Sequence, residues 1–378
     1  MEASFTLVFI TILILYLIIM ISFLLGWKFL DMVAPSKHTL RINFSIIIPV
    51  RNEQNNILKL LHSLKMQSYD PNFYEVIIVD DHSDDNTFQT VKKFKNNHEN
   101  LNIRLFALEK GESSKKAALK SGIKRAKGEA IIMTDADCSF RFNYLKTVNE
   151  YYRKKSVLLL IGPVRIKPEK GVLTQWQALE FSSLIFTAAA SIGIQQPLMA
   201  NGANLIVDHS VFRNNIKQDV FLDKYASGDD MFLLHFVKRN YGNRNIAFIN
   251  NPEATADTTP AKSFKEFIHQ RKRWVSKSKG YKSPFIIITA LVIFLMSLIQ
   301  ILSIPALFIF QVNYYAFVGF WMGKLLIDFL ALTTINKFFQ QLKIVRWYLP
   351  VALLYPFYVV FLGMAGLFTS YQWKNRTY

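Results

Sequence analysis

Four groups of residues in this 378-residue chain have the types and spacing to do chemistry. Asp135-Ala136-Asp137 follows a short apolar run, Ala130 to Met133. Two carboxylates at i and i+2 after a strand can converge on one divalent cation. Magnesium and manganese take such oxygen ligands and commonly share them with substrate phosphates. Asp80-Asp81 also follows an apolar run, Glu75 to Val79. A carboxylate there can accept hydrogen bonds from a nucleobase. The alternative is turn chemistry, since His82-Ser83-Asp84-Asp85-Asn86-Thr87 is rich in turn and cap formers. Gly228-Asp229-Asp230 precedes Met231-Phe232-Leu233-Leu234, which reads as a helix start. Acids at that place are often only caps; the chemical alternative is a general base that takes a proton from an attacking hydroxyl. In Gln270-Arg271-Lys272-Arg273-Trp274, helical spacing puts Gln270, Arg273 and Trp274 on one face. Arg can hold a diphosphate through paired hydrogen bonds, and Trp can stack on a ring or meet a lipid boundary. The bland reading is a basic, aromatic interfacial helix.

The elements that must position these residues are legible around them. Phe44 to Val50 is an apolar, β-branched run, and Asn102 to Leu108 is another. With 75–79 and 130–133 they make four strands. Helical patterns intervene through Ile57, Leu60, Leu61 and Leu64, over about Asn86 to Phe94, and over Lys115 to Ala126. Strand-helix alternation predicts an α/β fold with a parallel sheet covered by helices. Ligands bind outside the carboxyl ends of such strands, where both acidic pairs fall.

The bulk numbers add a membrane. The chain is 51% hydrophobic, carries a formal net charge of +18 and has a positive mean hydropathy. Apolar residues gather at the two ends. Phe5 to Leu25 contains no charged residue and is long enough to cross ~30 Å of hydrocarbon at ~1.5 Å per residue. It begins Met-Glu-Ala-Ser rather than with a basic segment, so it reads as a retained signal anchor. Phe285 to Val312, Tyr314 to Ile335 and Trp347 to Thr369 are three further spans. Lys324 and Asp328 interrupt the second of these four residues apart, on one helix face. They suit a structural ion pair facing the bundle; the alternative is contact with a lipid headgroup or a translocating chain. Leu173 to Pro197 is apolar with glutamines at its edges, and reads as an interfacial helix, or else as a core helix.

Basic residues border the spans: Lys28, Lys37 and Arg41 after the first, and Arg271, Lys272, Arg273, Lys277, Lys279 and Lys282 before the second. That placement fits a lipid surface and puts the middle of the chain on the cytoplasmic side. Lys337, Lys343 and Arg346 mark a cytoplasmic loop between the last two spans, whereas Lys374 and Arg376 would lie outside, a mild conflict. Zinc-knuckle spacing and RNA-binding signatures are absent, which sets nucleic acid aside. Cys138 is the single cysteine, so no internal disulfide can form, as suits a reducing compartment. It reads as a small packing residue.

In order, the pieces Ile48-Pro49-Val50-Arg51-Asn52-Glu53, Val79-Asp80-Asp81-His82-Ser83, Thr134-Asp135-Ala136-Asp137, Asn201-Gly202-Ala203-Asn204-Leu205, Gly228-Asp229-Asp230 and Gln270-x-x-Arg273-Trp274 resemble glycosyltransferase family 2. The likeness runs over about residues 43 to 280. It is nearest to the membrane-integrated branch, which includes cellulose, hyaluronan and poly-N-acetylglucosamine synthases and ceramide glucosyltransferase. The resemblance implies a GT-A-type, Rossmann-like nucleotide-sugar domain over 43–283, between an N-terminal anchor at 5–27 and about three C-terminal helices over 284–370.

It further implies a metal-dependent, inverting, hexosyltransferase-type enzyme in a bacterial inner (plasma) membrane. Such an enzyme moves sugar from a nucleotide-sugar donor to a lipid-linked or saccharide acceptor. Pro49, Glu53 and Asp81 would line the nucleotide pocket, with Asp81 near the base. Lys115, in Ser114-Lys115-Lys116-Ala117-Ala118-Leu119-Lys120, would lie near the phosphates. Asp135 and Asp137 would hold Mg2+ or Mn2+, with Asp137 the direct ligand. Asp230 would be the base, with Asp229 where the family usually has Glu. Gln270, Arg273 and Trp274 would serve the donor, and Asn201 to Leu205 would border the acceptor. A processive polysaccharide synthase remains an alternative, as does a non-catalytic membrane subunit that binds nucleotide sugar or lipid.

Overall fold

The structure, a computed structural model, describes residues 2–34, 40–215, 218–221, 228–276, 280–281, 283–309, 313–368, 372–373 and 376–377. Lys37, Lys277, Lys279, Lys282 and Lys374, and the expected span ends Val312 and Thr369, lie outside the described residues. In chain order the elements are α1 (Glu2–Lys28), β1 (Phe44–Val50), α2 (Ile57–Lys65), β2 (Tyr74–Asp80), α3 (Thr87–Asn96), β3 (Ile103–Ala107), α4 (Lys115–Arg125), β4 (Ala130–Met133), β5 (Ser139–Phe140) and α5 (Tyr144–Lys155). Then come β6 (Leu159–Ile161), β7 (Val164–Ile166), α6 (Val172–Gly193), β8 (Leu205–Asp208), α7 (Ser210–Arg213), α8 (Asp229–Tyr241), β9 (Ile246–Phe248), β10 (Ala256–Thr258), α9 (Phe264–Ser276), α10 (Pro284–Ile309), α11 (Tyr314–Phe338) and α12 (Tyr348–Phe368). The expected strands and helices of 44–126 all form, with ends shifted by a residue or two.

The chain divides into two compact units. One, the sheet unit, comprises Leu30–Lys167 and Met199–Thr259; the other, the spanning unit, comprises Met1–Phe29, Pro168–Leu198 and Pro260–Tyr378. α6 and α9 group with the long apolar helices in the spanning unit.

In the sheet unit a seven-stranded sheet has the order β3-β2-β1-β4-β8-β6-β9. β1 runs parallel to β2 and to β4, and β2 runs parallel to β3. β8 reverses the direction beside β4. Helices cover both faces of the parallel half, so Ile46 to Ile48, Val76 to Val79, and Ile131 and Ile132 are fully buried. This is why those strands read as unbroken apolar runs rather than alternating ones. Cys138 is fully buried there, as a packing residue should be. A second sheet, β5-β10-β7, is built from strands of two or three residues.

In the spanning unit, four described helical stretches are long and apolar enough to cross a membrane: Thr6–Lys28, Pro284–Ile309, Tyr314–Phe338 and Leu342–Ala365. α6 crosses α1 where a glycine faces a glycine. A Cβ on Gly193 would lie 1.9 Å from the Gly26 carbonyl oxygen, so no larger residue fits the crossing as it stands. Small residues let helix backbones approach this closely. Between α1 and α11, Phe9 stacks on Phe320 with ring centroids 5.0 Å apart.

Candidate active site

Three parallel strands and one antiparallel strand bring Pro49, Asp81, Asp135, Asp137 and Asn201 to Asn204 to one edge of the large sheet. Val50, the end of β1, pairs with Asp80, the end of β2. Met133, the end of β4, pairs with Leu205, the start of β8. The exit from β1, the Asp80-Asp81 step, the Asp135–Asp137 turn and the Asn201–Asn204 entry to β8 therefore share the carboxyl edge, the ligand-binding edge of α/β sheets. Thr134 ties two of them, donating from Oγ1 to the Ala203 carbonyl over 2.9 Å. Glu75, at the other end of β2, shows the contrast. Its carboxylate is taken up by Ser45 Oγ at 2.7 Å, Arg104 Nη1 at 2.7 Å and the Lys127 amide at 2.8 Å, which makes it structural.

Beside β2, Asp80 does turn chemistry, accepting from the Ser83 hydroxyl at 2.6 Å and the Ser83 amide at 3.0 Å. Asp81 is 2% exposed. The Arg51 guanidinium donates from Nη1 to the Asp81 carbonyl at 2.7 Å, and the same nitrogen lies 3.8 Å from the Asp81 carboxylate. Arg51 thus holds the Asp81 loop, a contact for which the sequence pattern gave no role. Asn52 adopts a left-handed conformation, φ 53°, which Asn tolerates better than most residues. Its side chain accepts from the Asp84 amide at 2.8 Å, and its own amide donates to Ser83 Oγ at 3.0 Å. These bonds zip the two loops together. Pro49 lies in β1 opposite Val79. Glu53 donates its amide to Thr87 Oγ1 at 2.7 Å and accepts from Asn56 Nδ2 at 2.8 Å.

Lys115 opens α4, whose N-terminus is capped by Ser114 Oγ, which accepts from the Ala117 amide at 3.1 Å. The Lys115 ammonium forms an ion pair with Asp135. Burial works to lower its pKa, but Asp135, then Asp229 and Asp230, outweigh it and hold it above the usual lysine range. Asp137 is pushed up to about 6, first by burial and next by the Asp135 charge beside it; Glu53 adds to the push. A carboxylate whose proton affinity is raised by a neighbouring carboxylate marks a place where a cation relieves repulsion.

Asp137 Oδ2 also accepts from Thr258 Oγ1 at 2.9 Å, a contact that no motif announced. Among the described residues no set of three His, Cys, Asp or Glu side chains gathers into a metal cluster. Asp135 and Asp137 form an all-oxygen, two-carboxylate set, which suits a hard divalent ion that completes its shell with water and substrate phosphates.

Gly228 precedes α8 in a left-handed conformation, φ 104°, which glycine adopts without strain. Asp229 is 7% exposed. Asp230 is only partly buried. Its Oδ2 accepts from the Gly202 amide at 3.2 Å and its Oδ1 from the Met231 amide at 2.8 Å. A Cβ built on Gly202 would sit 3.7 Å from Lys115 Nζ and 3.7 Å from Asp230 Cβ. Gly202 thus lies between the lysine and the acid.

Gln270, Arg273 and Trp274 lie on α9, in the spanning unit. One expectation for this helix is corrected. Arg271 is not a charge at a lipid border: it is 2% exposed and paired with Glu180. A helix that packs one face must bury whatever that face carries, and the acid on α6 compensates the charge.

Sequence comparison identifies the family. Residues 45–214 match the family described as Glycosyl transferase family 2. Residues 130–367, more than half of the chain, match Glycosyl transferase family group 2. Glycosyltransferase AglE of Haloferax volcanii is 29% identical over 197 residues, which cover 52% of this chain and 60% of that protein. A Methanococcus voltae enzyme, dolichyl N-acetyl-alpha-D-glucosaminyl phosphate 3-beta-D-2,3-diacetamido-2,3-dideoxy-beta-D-glucuronosyltransferase, is 28% identical over 237 residues, 61% of this chain and 71% of that one. In fold, the mannosyltransferase PcManGT from Pyrobaculum calidifontis, solved with GDP-Man and Mn2+, is similar with a TM-score of 0.54. That likeness comes at 17% identity and covers 93% of this chain and 98% of that one. With a mixed sheet whose parallel strands carry acids at their carboxyl edge, and a family match over more than half of its length, this chain belongs to glycosyltransferase family 2.

Proposed function

We propose that this chain moves a sugar, with inversion, from a nucleotide-sugar donor to a hydroxyl of a lipid-linked or saccharide acceptor at the cytoplasmic face of a plasma membrane. The observation that carries it is Lys115, which forms an ion pair with Asp135 and feels the charges of Asp229 and Asp230. One cation thus joins the acids suited to a diphosphate-bound metal to the acid suited to a base.

Asp230 is the base. It is more exposed than Asp229, and amide hydrogen bonds to both oxygens fix its orientation. A carboxylate oxygen that accepts one amide keeps a further lone pair for the acceptor hydroxyl. Asp81 and Glu53 serve the nucleoside, with Pro49 behind them and Arg51 holding the Asp81 loop. Asp137, with Asp135, would hold Mg2+ or Mn2+, which when bound supplies positive charge to the leaving diphosphate. Thr258 fixes the Asp137 carboxylate, and Lys115 adds fixed charge for phosphate. Gln270, Arg273 and Trp274 serve the donor, and Asn201 to Leu205 border the acceptor.

A single transfer or short extension on a lipid-linked acceptor is favoured over a long polymer. The Methanococcus relative is named for a dolichyl N-acetyl-alpha-D-glucosaminyl phosphate acceptor, which supports a lipid-linked one here. Lys28, at the end of α1, supports a cytoplasmic placement of the strands and helices that come after it in the chain.

The test uses the full chain in lipid with Mn2+, a panel of nucleotide sugars and a lipid extract. The expected result is release of nucleoside diphosphate, with Asp230→Asn losing at least ~100-fold and Asp229→Asn losing less. Binding without turnover of any sugar would support a non-catalytic subunit instead, and chains of many sugars from one enzyme molecule would support a processive synthase.

A further inference from the structure

Arg271 fills a position that Gln-x-x-Arg-Trp leaves open, yet its side chain touches both ends of that motif. Nη1 donates to Gln270 Oε1 at 2.5 Å, and the guanidinium lies 4.1 Å from the Trp274 ring centroid. On the turn before, it lies 4.6 Å from the Phe267 ring centroid. The three ring-stacked positions are spaced i, i+4 and i+7, one face of α9.

That face is clamped from outside the helix. Glu180 of α6 takes Arg271 in a two-point grip, Nε to Oε1 at 2.9 Å and Nη2 to Oε2 at 2.5 Å. Tyr358 of α12 donates to the same Oε1 at 3.0 Å, and its ring stacks on Phe267 with centroids 5.7 Å apart. Glu180 is 5% exposed and Tyr358 9%.

A buried pair of this kind adds little stability over well-packed apolar residues. Its strength is geometric: a planar fork held at two points fixes the guanidinium plane, and with it whatever bonds to its remaining nitrogen and stacks on its face.

We propose that Arg271 is a positioning residue, which with Glu180 and Tyr358 fixes Gln270 and Trp274 and anchors their helix to α6 and to the spanning helix α12. The inference rests on the reading that Gln270, Arg273 and Trp274 serve the donor, but one arm of its test does not need activity. In the full chain in lipid, Glu180→Gln is expected to speed amide hydrogen exchange across 264–276 while leaving 44–50 and 130–133 unchanged. Unchanged exchange across 264–276 overturns the anchoring, whether or not the protein transfers sugar.

The kinetic arm compares Arg271→Met with the double variant Glu180→Leu/Arg271→Met, which leaves no uncompensated charge. The double variant is expected to recover the melting temperature and still to turn over on the order of 10–100-fold more slowly than wild type. In a double-mutant cycle, Arg271→Met and Trp274→Ala are expected to be non-additive in kcat. Wild-type turnover in the double variant, or additivity in the cycle, overturns the positioning role and leaves the proposed reaction standing.

Discussion

Thr258 donates from Oγ1 to Oδ2 of Asp137 over 2.9 Å, although 121 residues separate them in the chain. Thr258 ends β10, and its neighbour Asp257 is 5% exposed and paired with Arg165 Nη2 of β7 at 2.6 Å. The strand is pinned by one residue and presents the hydroxyl with the next. Groups that orient a metal-binding carboxylate commonly contribute 10–100-fold to metal affinity. Thr258→Val is therefore expected to raise the Mn2+ concentration for half-maximal nucleoside diphosphate release by roughly tenfold, with Thr258→Ser close to wild type. A metal titration that is identical for wild type and Thr258→Val removes Thr258 from the site.

Gly202 makes a steric prediction with a sign that depends on size. An added Cβ would meet nothing closer than 3.7 Å, and Gly202 is not among the residues with positive φ, so alanine fits. A longer side chain would enter the space between Lys115 and Asp230. Gly202→Ala is expected to keep both melting temperature and rate, and Gly202→Leu to keep the fold and lose on the order of 100-fold in rate. Equal rates for the two variants would mean that no reacting group passes between the lysine and the acid.

The parts of the molecule that were legible beforehand share a physical cause. β1, β2 and β4 are covered on both faces, so their burial is written as continuous Ile and Val. The spans are written in composition alone. The acids at strand ends are legible because the rule about the carboxyl edge is topological. What escaped depends on pairing across long separations. β10 has three residues, and its partners β5 and β7 have two and three, too few for a period to emerge. Thr258 could not be recognised without knowing that β10 lies beside the Asp137 turn. Arg271 was misplaced because a basic run before a span reads as a border. The available signal was on the partner: Glu180 is the one charged residue between Leu173 and Pro197, and a lone acid in an apolar helix asks for a cation.

His235, on the second turn of α8 beyond Asp229 and Asp230, gives a pH prediction for stability. Burial, with the nearby Lys238 charge next, lowers its pKa from 6.5 to about 4. The folded state thus resists protonation that the unfolded chain accepts. The contribution is fully present above pH 6.5 and is lost as pH falls from there toward 4, with an upper bound of roughly 3 kcal/mol. His235→Gln is expected to flatten the fall in melting temperature between pH 6.5 and 4 relative to wild type, while differing little above pH 7. Parallel curves for the two proteins over that window would show that His235 titrates alike in both states.

Lys324 and Asp328, two charges inside a span, meet in the structure. Lys324 is 2% exposed, its ammonium lies 2.6 Å from Asp328 Oδ2, and Tyr16 of α1 donates to Asp328 Oδ1 at 2.6 Å. The ammonium also lies 5.8 Å from the Tyr16 ring centroid and 5.6 Å from that of Tyr355. Both charges are satisfied within the spanning unit, as a structural pair facing the bundle requires. Removing one partner from such a pair costs about 3–5 kcal/mol, whereas removing both and refilling the volume is close to neutral. Asp328→Asn and Lys324→Met are therefore each expected to lower resistance to unfolding in detergent, and Lys324→Met/Asp328→Leu to restore most of it. Transfer activity is expected to follow stability across the three variants. If Asp328→Asn kept wild-type stability and lost transfer, the pair would belong to the path of a substrate or lipid rather than to the packing of α11 against α1.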